Sequence, residues 1–293
     1  MPHPIKTAIR QRINQLFNDY EAGERPALRR ADALFPTDSV AWRVNGDIVT
    51  MMIGGVSGLL LQMLHPAVLA GVWDHSDFRA DMHGRLRRTA KFIAVTTYDH
   101  AERGRAAIDR VRSIHDRLKG VLPDGTPYRV NDPTLLAWVH VTEITSFLDA
   151  WVRYAEPSMS AADQDAYIAE MARIGRALGA DPVPTDRAGA QALIQSMRPW
   201  LKADARTFEV AQLVLRQRIG GPAEDFAGGL IMAAGRDLLP DWARAMHGLP
   251  AASAPARAAV RATQAMMDWV YTGSPNRRVW PDDVTEWPDG APR

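Results

Sequence analysis

The feature that most constrains the fold is a long segment, Ile48 to Val72, that contains no Asp, Glu, Lys or Arg. It is about long enough to cross a bilayer. Near its middle, however, lie Gln62, His65 and Pro66, which would place polar groups and a kink in lipid. We therefore predict a buried central helix with a kink at Pro66. Its glycines would let another helix or a flat ligand approach the backbone closely.

Helical periodicity extends over most of the remaining chain. Apolar residues recur at spacings of three and four, and no alternating β-branched run bounded by turns is present. The sequence Asn131-Asp132-Pro133 is typical of a helix start, and Gly120, Gly179 and Gly248 are typical of helix ends. The pattern predicts an all-α fold in a single multi-helix domain.

Composition and punctuation suggest how this domain is organised. A hydrophobic content of 46% and a charged content of 24% indicate an ordinary globular chain. We expect an N-terminal helical extension over residues 1–40, the main helical domain over 40–250, and a C-terminal helix with an irregular tail over 251–293, packed on the same domain.

Charge and cysteine content narrow the possible partners and location. A net charge of +1 gives no electrostatic reason to expect nucleic acid, and membrane association is not expected either. The absence of cysteine removes disulfides, thiolate metal sites and thiol nucleophiles. Residues 1–10 lack the basic-then-apolar pattern of a secretion signal, so we expect a cytoplasmic location.

His115 is the most informative candidate residue. It completes an apolar stripe with Ile108, Val111 and Leu118, which turns its imidazole toward the interior. One interpretation is a buried neutral histidine with two hydrogen-bond partners. The other is an axial ligand that holds haem iron from the proximal side. The stripe alone does not choose between them.

Two further histidines have a structural and a functional interpretation. His140 shares a helix face with Ile144, Phe147 and Trp151, so it is either a packing residue or a pocket-lining residue that supports a ligand. His65 precedes Pro66, where its ring could simply donate to a backbone carbonyl freed by the proline.

A basic helix face opens with Arg85, Arg88 and Thr89, which lie at spacings of three and four. It is either a solvated surface or a site for paired carboxylates, such as haem propionates, or for a phosphate. Histidines and aspartates between residues 75 and 83 offer a weaker alternative, a non-haem metal site, because no established ligand spacing is present.

Five sequence features occur in a recognisable order. They are the run LLLQMLHPAVLAGV at 59–72, the pair His75-Ser76, Arg85-x-x-x-Thr89, His115, and LAWVH at 136–140. On the basis of these features, the chain resembles a bacterial and fungal family catalogued as domain of unknown function 2236. The family includes latex clearing protein and the oxygenase of mycophenolic acid biosynthesis, and the resemblance covers about residues 40 to 250.

The resemblance implies a helical fold around one non-covalently bound haem b, and, in the best-known members, oxidative cleavage of a carbon–carbon double bond with dioxygen. His115 matches the family's proximal iron ligand, and Arg85 and Thr89 match residues on the other side of the haem. Arg88 stands where the rubber-cleaving branch has a lysine that ligates the distal face. A guanidinium stays protonated, so that lysine-ligated state is not expected here.

The catalytic glutamate of the rubber-cleaving branch has no counterpart at 67–70, so the same acid–base arrangement is not expected. We predict a haem b oxygenase that acts with dioxygen on a small apolar, terpenoid or alkene substrate. In it His115 would hold the iron, Arg85 and Arg88 would set the charge of the distal pocket, and Thr89 would bond near dioxygen. His140 and His65 would line or support the pocket. One alternative is a haem-binding or gas-sensing protein without turnover, and another is a helical protein with no cofactor.

Overall fold

The protein folds into packed helices with one small β-hairpin, as the computed structural model shows. The structure describes residues 27, 29–217 and 221–250 and positions 258, 261, 262 and 265; most of the predicted extension and tail therefore lies outside the described residues. The all-α prediction is confirmed. The elements are α1 (Val40–Val44), α2 (Ile48–Gln62), α3 (Pro66–His75), α4 (Met82–Tyr98), α5 (Ala101–His115), β1 (Lys119–Val121), β2 (Pro127–Arg129), α6 (Pro133–Tyr154), α7 (Ala161–Leu178), α8 (Arg187–Met197), a 3₁₀ turn (Arg198–Trp200), α9 (Ala205–Leu215), α10 (Pro222–Leu238) and α11 (Asp241–Met246).

The uncharged segment forms two helices rather than the predicted single kinked one. Helix α2 ends at Gln62, α3 begins at Pro66, and their axes differ by 106°. Pro66 occupies the first turn of α3, where its missing N–H costs nothing, and His65 is the N-cap. Within the described residues no single helix has the length and apolar content to span a membrane. The bent pair passes that test only when its two helices are taken together.

Close backbone approach at glycines fixes the position of α2. A Cβ on Gly54 would lie 2.8 Å from both the Cα of Phe147 and the carbonyl oxygen of Ser146. On the other side, Gly235 of α10 packs against Val56. The prediction that small residues in this segment admit a neighbouring helix is confirmed.

Helix α6 is the centre of the domain. It lies against α2, α7 and α8, and its buried tryptophans Trp138 and Trp151 belong to one large apolar cluster that extends from Phe35 to Ala243. As predicted, Asp132 caps its start, accepting from the amides of the first turn. A single core of this kind is what holds the described helices in one domain.

Two of the three predicted helix ends are confirmed. Gly179 and Gly248 adopt left-handed backbone, with φ of 96° and 62°, just after α7 and α11. The assignment of Gly120 was wrong, because α5 has already ended at His115 and Gly120 lies in β1 opposite Tyr128. The chain reverses through this antiparallel hairpin before it enters α6.

Candidate functional site

Helices α4 and α5 are consecutive and pack against each other, with Arg85 in the first turn of α4 and His115 at the end of α5. A Cβ on Gly104 would lie 3.7 Å from the Cα of Thr96, which fixes the register of the pair. Arg85 and His115 lie equally far along their helices from this contact, roughly 16 Å at 1.5 Å per residue. Arg85 and His115 thus both lie on the side of the α4–α5 pair away from the turn that joins the two helices.

His115 is the last residue of α5 and lies on its inner face. Ile108 is buried, Val111 and His115 are half-buried, and Ile114 is exposed, which confirms the predicted stripe. The Nδ1 atom of His115 is buried and has no hydrogen-bond partner within the described chain. Desolvation lowers the pKa of this imidazole, against the opposing effect of Asp116. Burial therefore favours the neutral form of this ring, whose Nδ1 makes no hydrogen bond within the described chain.

The segment that follows His115 ties it to the start of α6. The amide of Val130 donates to the carbonyl of Leu118 at 3.0 Å, and Asn131 Nδ2 donates to Asp116 Oδ1 at 2.8 Å. These bonds fix the end of α5 beside the residues that cap α6. The position of His115 is thus set by backbone pairing on its C-terminal side.

Arg85 is a half-buried cation without an anionic partner. Its Nη1 donates to Ser76 Oγ at 3.0 Å, and no carboxylate of the described residues pairs with it. Desolvation lowers the pKa of Arg85, and the nearby charge of Arg88 lowers it further. A desolvated guanidinium of this kind favours the binding of an anionic group.

Arg88 and Thr89 have a different environment from Arg85. Both side chains are exposed, with Arg88 Nη1 bonded to Asp81 Oδ2 at 3.0 Å. Thr89 Oγ1 donates to the carbonyl of Arg85 in its own helix at 3.2 Å. Neither has a contact that assigns it a role, so their predicted roles in the pocket stay predictions.

His65 acts as a helix cap. Its Nδ1 accepts from the amide of Ala67 at 3.3 Å, and burial lowers its pKa to about 4, with Asp132 opposing the shift. The expectation that this ring donates to a freed carbonyl was wrong, since it accepts from an amide instead. Because a neutral ring that accepts at Nδ1 carries its proton on Nε2, His65 cannot coordinate iron through Nε2 while the cap is formed.

His140 is buried against the backbone of α7. A Cβ on Gly175 would lie 2.7 Å from its Nε2, and that nitrogen has no hydrogen-bond partner among the described residues. Burial, with a smaller effect of Arg176, lowers the pKa of His140 to about 4. The contact with Gly175 leaves no space for a flat cofactor beside Nε2, so His140 is a weaker candidate for an axial ligand than His115.

One titratable residue was missed by the sequence analysis. Glu143 lies one turn after His140, is half-buried, and makes no hydrogen bond to the residues that the structure describes. Desolvation raises its pKa to about 7. The signal was present in the sequence, because Glu143 is the only charged residue between Pro133 and Leu148. The Glu143 carboxyl thus exchanges its proton near neutral pH, and its charge, together with the larger effect of burial, raises the pKa of Tyr167.

The alternative of a non-haem metal site receives no support from the residues at 75–83. His75 is exposed and lies 3.3 Å from the hydroxyl of Tyr128, which donates to Asp74 at 2.6 Å. The side chain of His83 is not among those that the structure describes. No group of three metal-binding side chains occurs among the residues that the structure describes.

Comparison with known proteins gives one clear match. The family model described as ER-bound oxygenase mpaB/B'/Rubber oxygenase, catalytic domain, matches residues 42–271, a span that includes Arg85, His115 and His140. Neither the search of curated proteins nor the search of solved structures found a match. The family model covers most of the chain, which confirms the resemblance, and this chain belongs to the family of mpaB-type and rubber oxygenase catalytic domains and is an enzyme of the oxygenase class.

Proposed function

We propose that this oxygenase binds one haem b, whose iron His115 would hold, and that it oxidises a small apolar substrate with dioxygen. The observation that carries the proposal is the imidazole of His115, whose Nδ1 has no hydrogen-bond partner among the described residues. Arg85, on the helix that packs against α5, is a half-buried cation that no carboxylate of the described residues pairs with. His115 would bind the iron through Nε2, which unlike Nδ1 is not fully buried in the fold.

The donor set of His115 and Arg85 fits haem. Haem brings its own four equatorial nitrogens, so the protein needs to supply as few as one ligand, whereas a non-haem iron site needs about three. His115 supplies that one ligand. Arg85, the half-buried cation, would pair with a propionate, because a charge-assisted bond offsets the cost of its desolvation.

Bound haem would supply the centre at which dioxygen is activated. The chain's own residues would orient the cofactor and keep His115 neutral through desolvation. Arg88 and Thr89 are proposed to adjust the charge and hydrogen bonding on the opposite face. That role requires Arg88 to leave Asp81, an exposed pair of a type that contributes about 0–1 kcal/mol.

The rest of the proposal follows from sequence. The substrate is proposed to be a small alkene or terpenoid, and the location cytoplasmic. The alternative of a gas sensor without turnover is less favoured, because the matching family model describes a catalytic domain. Oxygen uptake that depends on an added alkene would distinguish turnover from binding alone.

The test is the absorption spectrum and haem content of three purified proteins. Wild type should show a Soret band and about one haem per chain, whereas His115→Ala should fold but retain little haem or show a shifted band. His100→Ala is the matched control, since His100 lies at the other end of α5 and is paired with Asp32. If His115→Ala keeps the wild-type spectrum and stoichiometry, the ligand assignment is wrong.

A further inference from the structure

The β-hairpin that follows His115 has one buried face and one exposed face. Its strands pair in antiparallel register, with Gly120 opposite Tyr128. Tyr128 is buried and packs in one apolar cluster with Ala70 of α3, which holds this face of the hairpin on the domain. Because side chains alternate between the two faces of a strand, the residues on either side of this pair point the other way. The outer hairpin face therefore consists of four exposed residues, Lys119, Val121, Pro127 and Arg129.

Two cations lie directly opposite each other on the outer hairpin face. Lys119 is the register partner of Arg129, and like charges at such positions, with Cβ atoms about 4.5–5.5 Å apart, are destabilising. Neither side chain forms an ion pair with a residue that the structure describes, and Arg129 Nε donates to the amide oxygen of Asn131 at 3.3 Å. The carboxylates of another molecule would neutralise this unused positive charge.

The same face carries exposed apolar side chains beside the two cations. Val121 lies opposite Pro127 in the register, and Val121 is 62% exposed. A single exposed apolar residue is ordinary on a protein surface. An apolar pair next to charges that lack partners, however, has the composition of a small protein–protein contact, in which a charged rim surrounds apolar residues.

The charges around the outer hairpin face are mostly positive. Arg117 is exposed and makes no ion pair within the described part of the chain. The acidic residues between positions 116 and 131 are Asp116, which accepts a hydrogen bond from Asn131, and Asp124, which has Lys202 nearby. Since the whole chain carries a net charge of only +1, this surface is a local concentration of positive charge. Charge complementarity favours an acidic partner.

The outer hairpin face is also close to His115. Lys119 follows His115 by four residues, so their Cα atoms are at most about 14 Å apart. Oxygen chemistry at a haem requires the iron in its reduced state, so an oxidised cofactor must receive one electron from outside. Encounters between redox proteins typically use small interfaces, and electrostatic attraction accelerates their association. A small basic surface beside the residue that would hold the iron suits such an encounter.

We propose that the outer hairpin face docks a small acidic iron–sulfur protein that reduces the haem. Carboxylates of this partner pair with Lys119 and Arg129, and its apolar rim contacts Val121. In the transfer, the reduced iron–sulfur cluster loses one electron and the haem iron changes from ferric to ferrous, and no bond is made or broken. The role of the partner as electron donor rests on the proposed function, whereas the docking itself does not.

The first test is isothermal titration calorimetry of the full chain with a plant-type [2Fe–2S] ferredoxin, which is acidic. Wild type should bind with a Kd of about 10–100 µM at low ionic strength and about tenfold more weakly in 0.5 M salt. Lys119→Glu and Arg129→Glu should each weaken binding about tenfold. The absence of wild-type binding, or binding that does not respond to salt, would overturn the proposal.

Both charge reversals are expected to keep the hairpin folded. Each replaces a pair of like charges by a pair of opposite charges across the strands, which is stabilising. Arg105→Glu is the matched control, because Arg105 is an exposed cation of α5 that pairs with no described residue, and its reversal changes the net charge equally. An equal loss of binding in Arg105→Glu would show that only overall charge matters. Binding to phosphatidylglycerol vesicles that both hairpin variants abolish, without binding of ferredoxin, would identify an anionic membrane as the partner and refute the proposal.

The second test follows electron transfer in the haem-loaded protein by anaerobic stopped-flow absorption. Reduced ferredoxin below saturation should reduce wild type about tenfold faster than either hairpin variant. Dithionite, a small reductant that needs no docking surface, should reduce all three proteins at the same rate. Equal rates with ferredoxin would exclude the hairpin as the docking site of the donor. If the chain bound no haem, the proposed function would fail, while the calorimetric comparison would still decide whether this face docks an acidic protein.

Discussion

Replacement of Gly54 by alanine should separate α2 from α6. The added Cβ would lie 2.7 Å from Phe147 Cδ1, and 2.8 Å from both the Phe147 Cα and the Ser146 carbonyl oxygen. The Phe147 ring could rotate away, but the two backbone atoms could not. The helices must therefore move apart along the most extensive helix–helix contact of the described domain.

Gly55, the next residue, provides the reference for the loss of stability expected in Gly54→Ala. Overpacking in a close-packed core costs about 1–3 kcal/mol, and the backbone contacts at Gly54 favour the upper end. At Gly55 the nearest atom to a new Cβ is Phe147 Cε1 at 3.8 Å, an ordinary contact. Gly55→Ala should thus be neutral or should stabilise the helix by about 0.5–1 kcal/mol.

The measurement is thermal and urea unfolding followed by circular dichroism. At about 2–4 °C per kcal/mol, Gly54→Ala should lower the Tm by about 5–10 °C, whereas Gly55→Ala should keep it or raise it slightly. Both variants carry the same chemical change on one helix, so their difference isolates the contact with α6. If the two unfolding free energies agree within about 0.5 kcal/mol, the close approach at Gly54 does not limit packing.

Three further predictions concern charged groups. Arg85→Ala should weaken haem retention about tenfold more than Arg87→Ala, as measured by haem transfer to an acceptor protein, because Arg87, two residues further along α4, points in another direction at about 100° per residue. The pKa of His140 is about 4 in the folded protein against 6.5 for the free side chain. Its contribution to the free energy of unfolding should therefore be fully present above pH 6.5 and fall by up to about 3 kcal/mol toward pH 4. His140→Gln should reduce this pH dependence in urea unfolding. The pKa of Glu143 is about 7 in the folded protein against 4.5 for the free side chain. Its contribution to the free energy of unfolding is therefore fully present below pH 4.5 and is lost as the pH rises through 7. Relative to wild type, Glu143→Gln should raise the free energy of unfolding by about 1–3 kcal/mol at pH 8 and leave it unchanged at pH 4.5.

Local periodicity predicted the features that depend only on neighbours within one helix, such as the direction of a face and the position of a cap. The inward face of α5 followed from the spacing of Ile108, Val111 and His115, and the cap at Asp132 followed from the proline after it. Composition alone could not give the angle between α2 and α3. An uncharged run with Pro66 is equally compatible with a kinked helix and with two helices, because the proline is as acceptable at a helix start as it is disruptive in the middle.

The sequence pattern could not predict which side chains from distant segments become hydrogen-bond or ion-pair partners. Helical spacing put Arg85, Arg88 and Thr89 on one face, but the cap residue Asp81 holds Arg88 at the surface, while Arg85 turns to Ser76. That Nδ1 of His115 has no partner among the described residues likewise depends on the tertiary packing of the surrounding helices. Periodicity identifies the direction of a side chain, and only the packed fold shows which polar atoms remain unsatisfied.

The positions of Gly54 and His115 allow folding and cofactor binding to be separated by experiment. Gly54 lies at the central crossing of α2 and α6, so its replacement should lower stability and, through the fraction folded, haem content together. His115 is half-buried at the end of α5, and its Nδ1 bonds to none of the residues that the structure describes, so its replacement breaks no known hydrogen bond there. His115→Ala should therefore remove haem while the apo proteins of variant and wild type unfold within about 1 kcal/mol of each other. A histidine held only for packing would give the opposite order, with stability lost and haem retained.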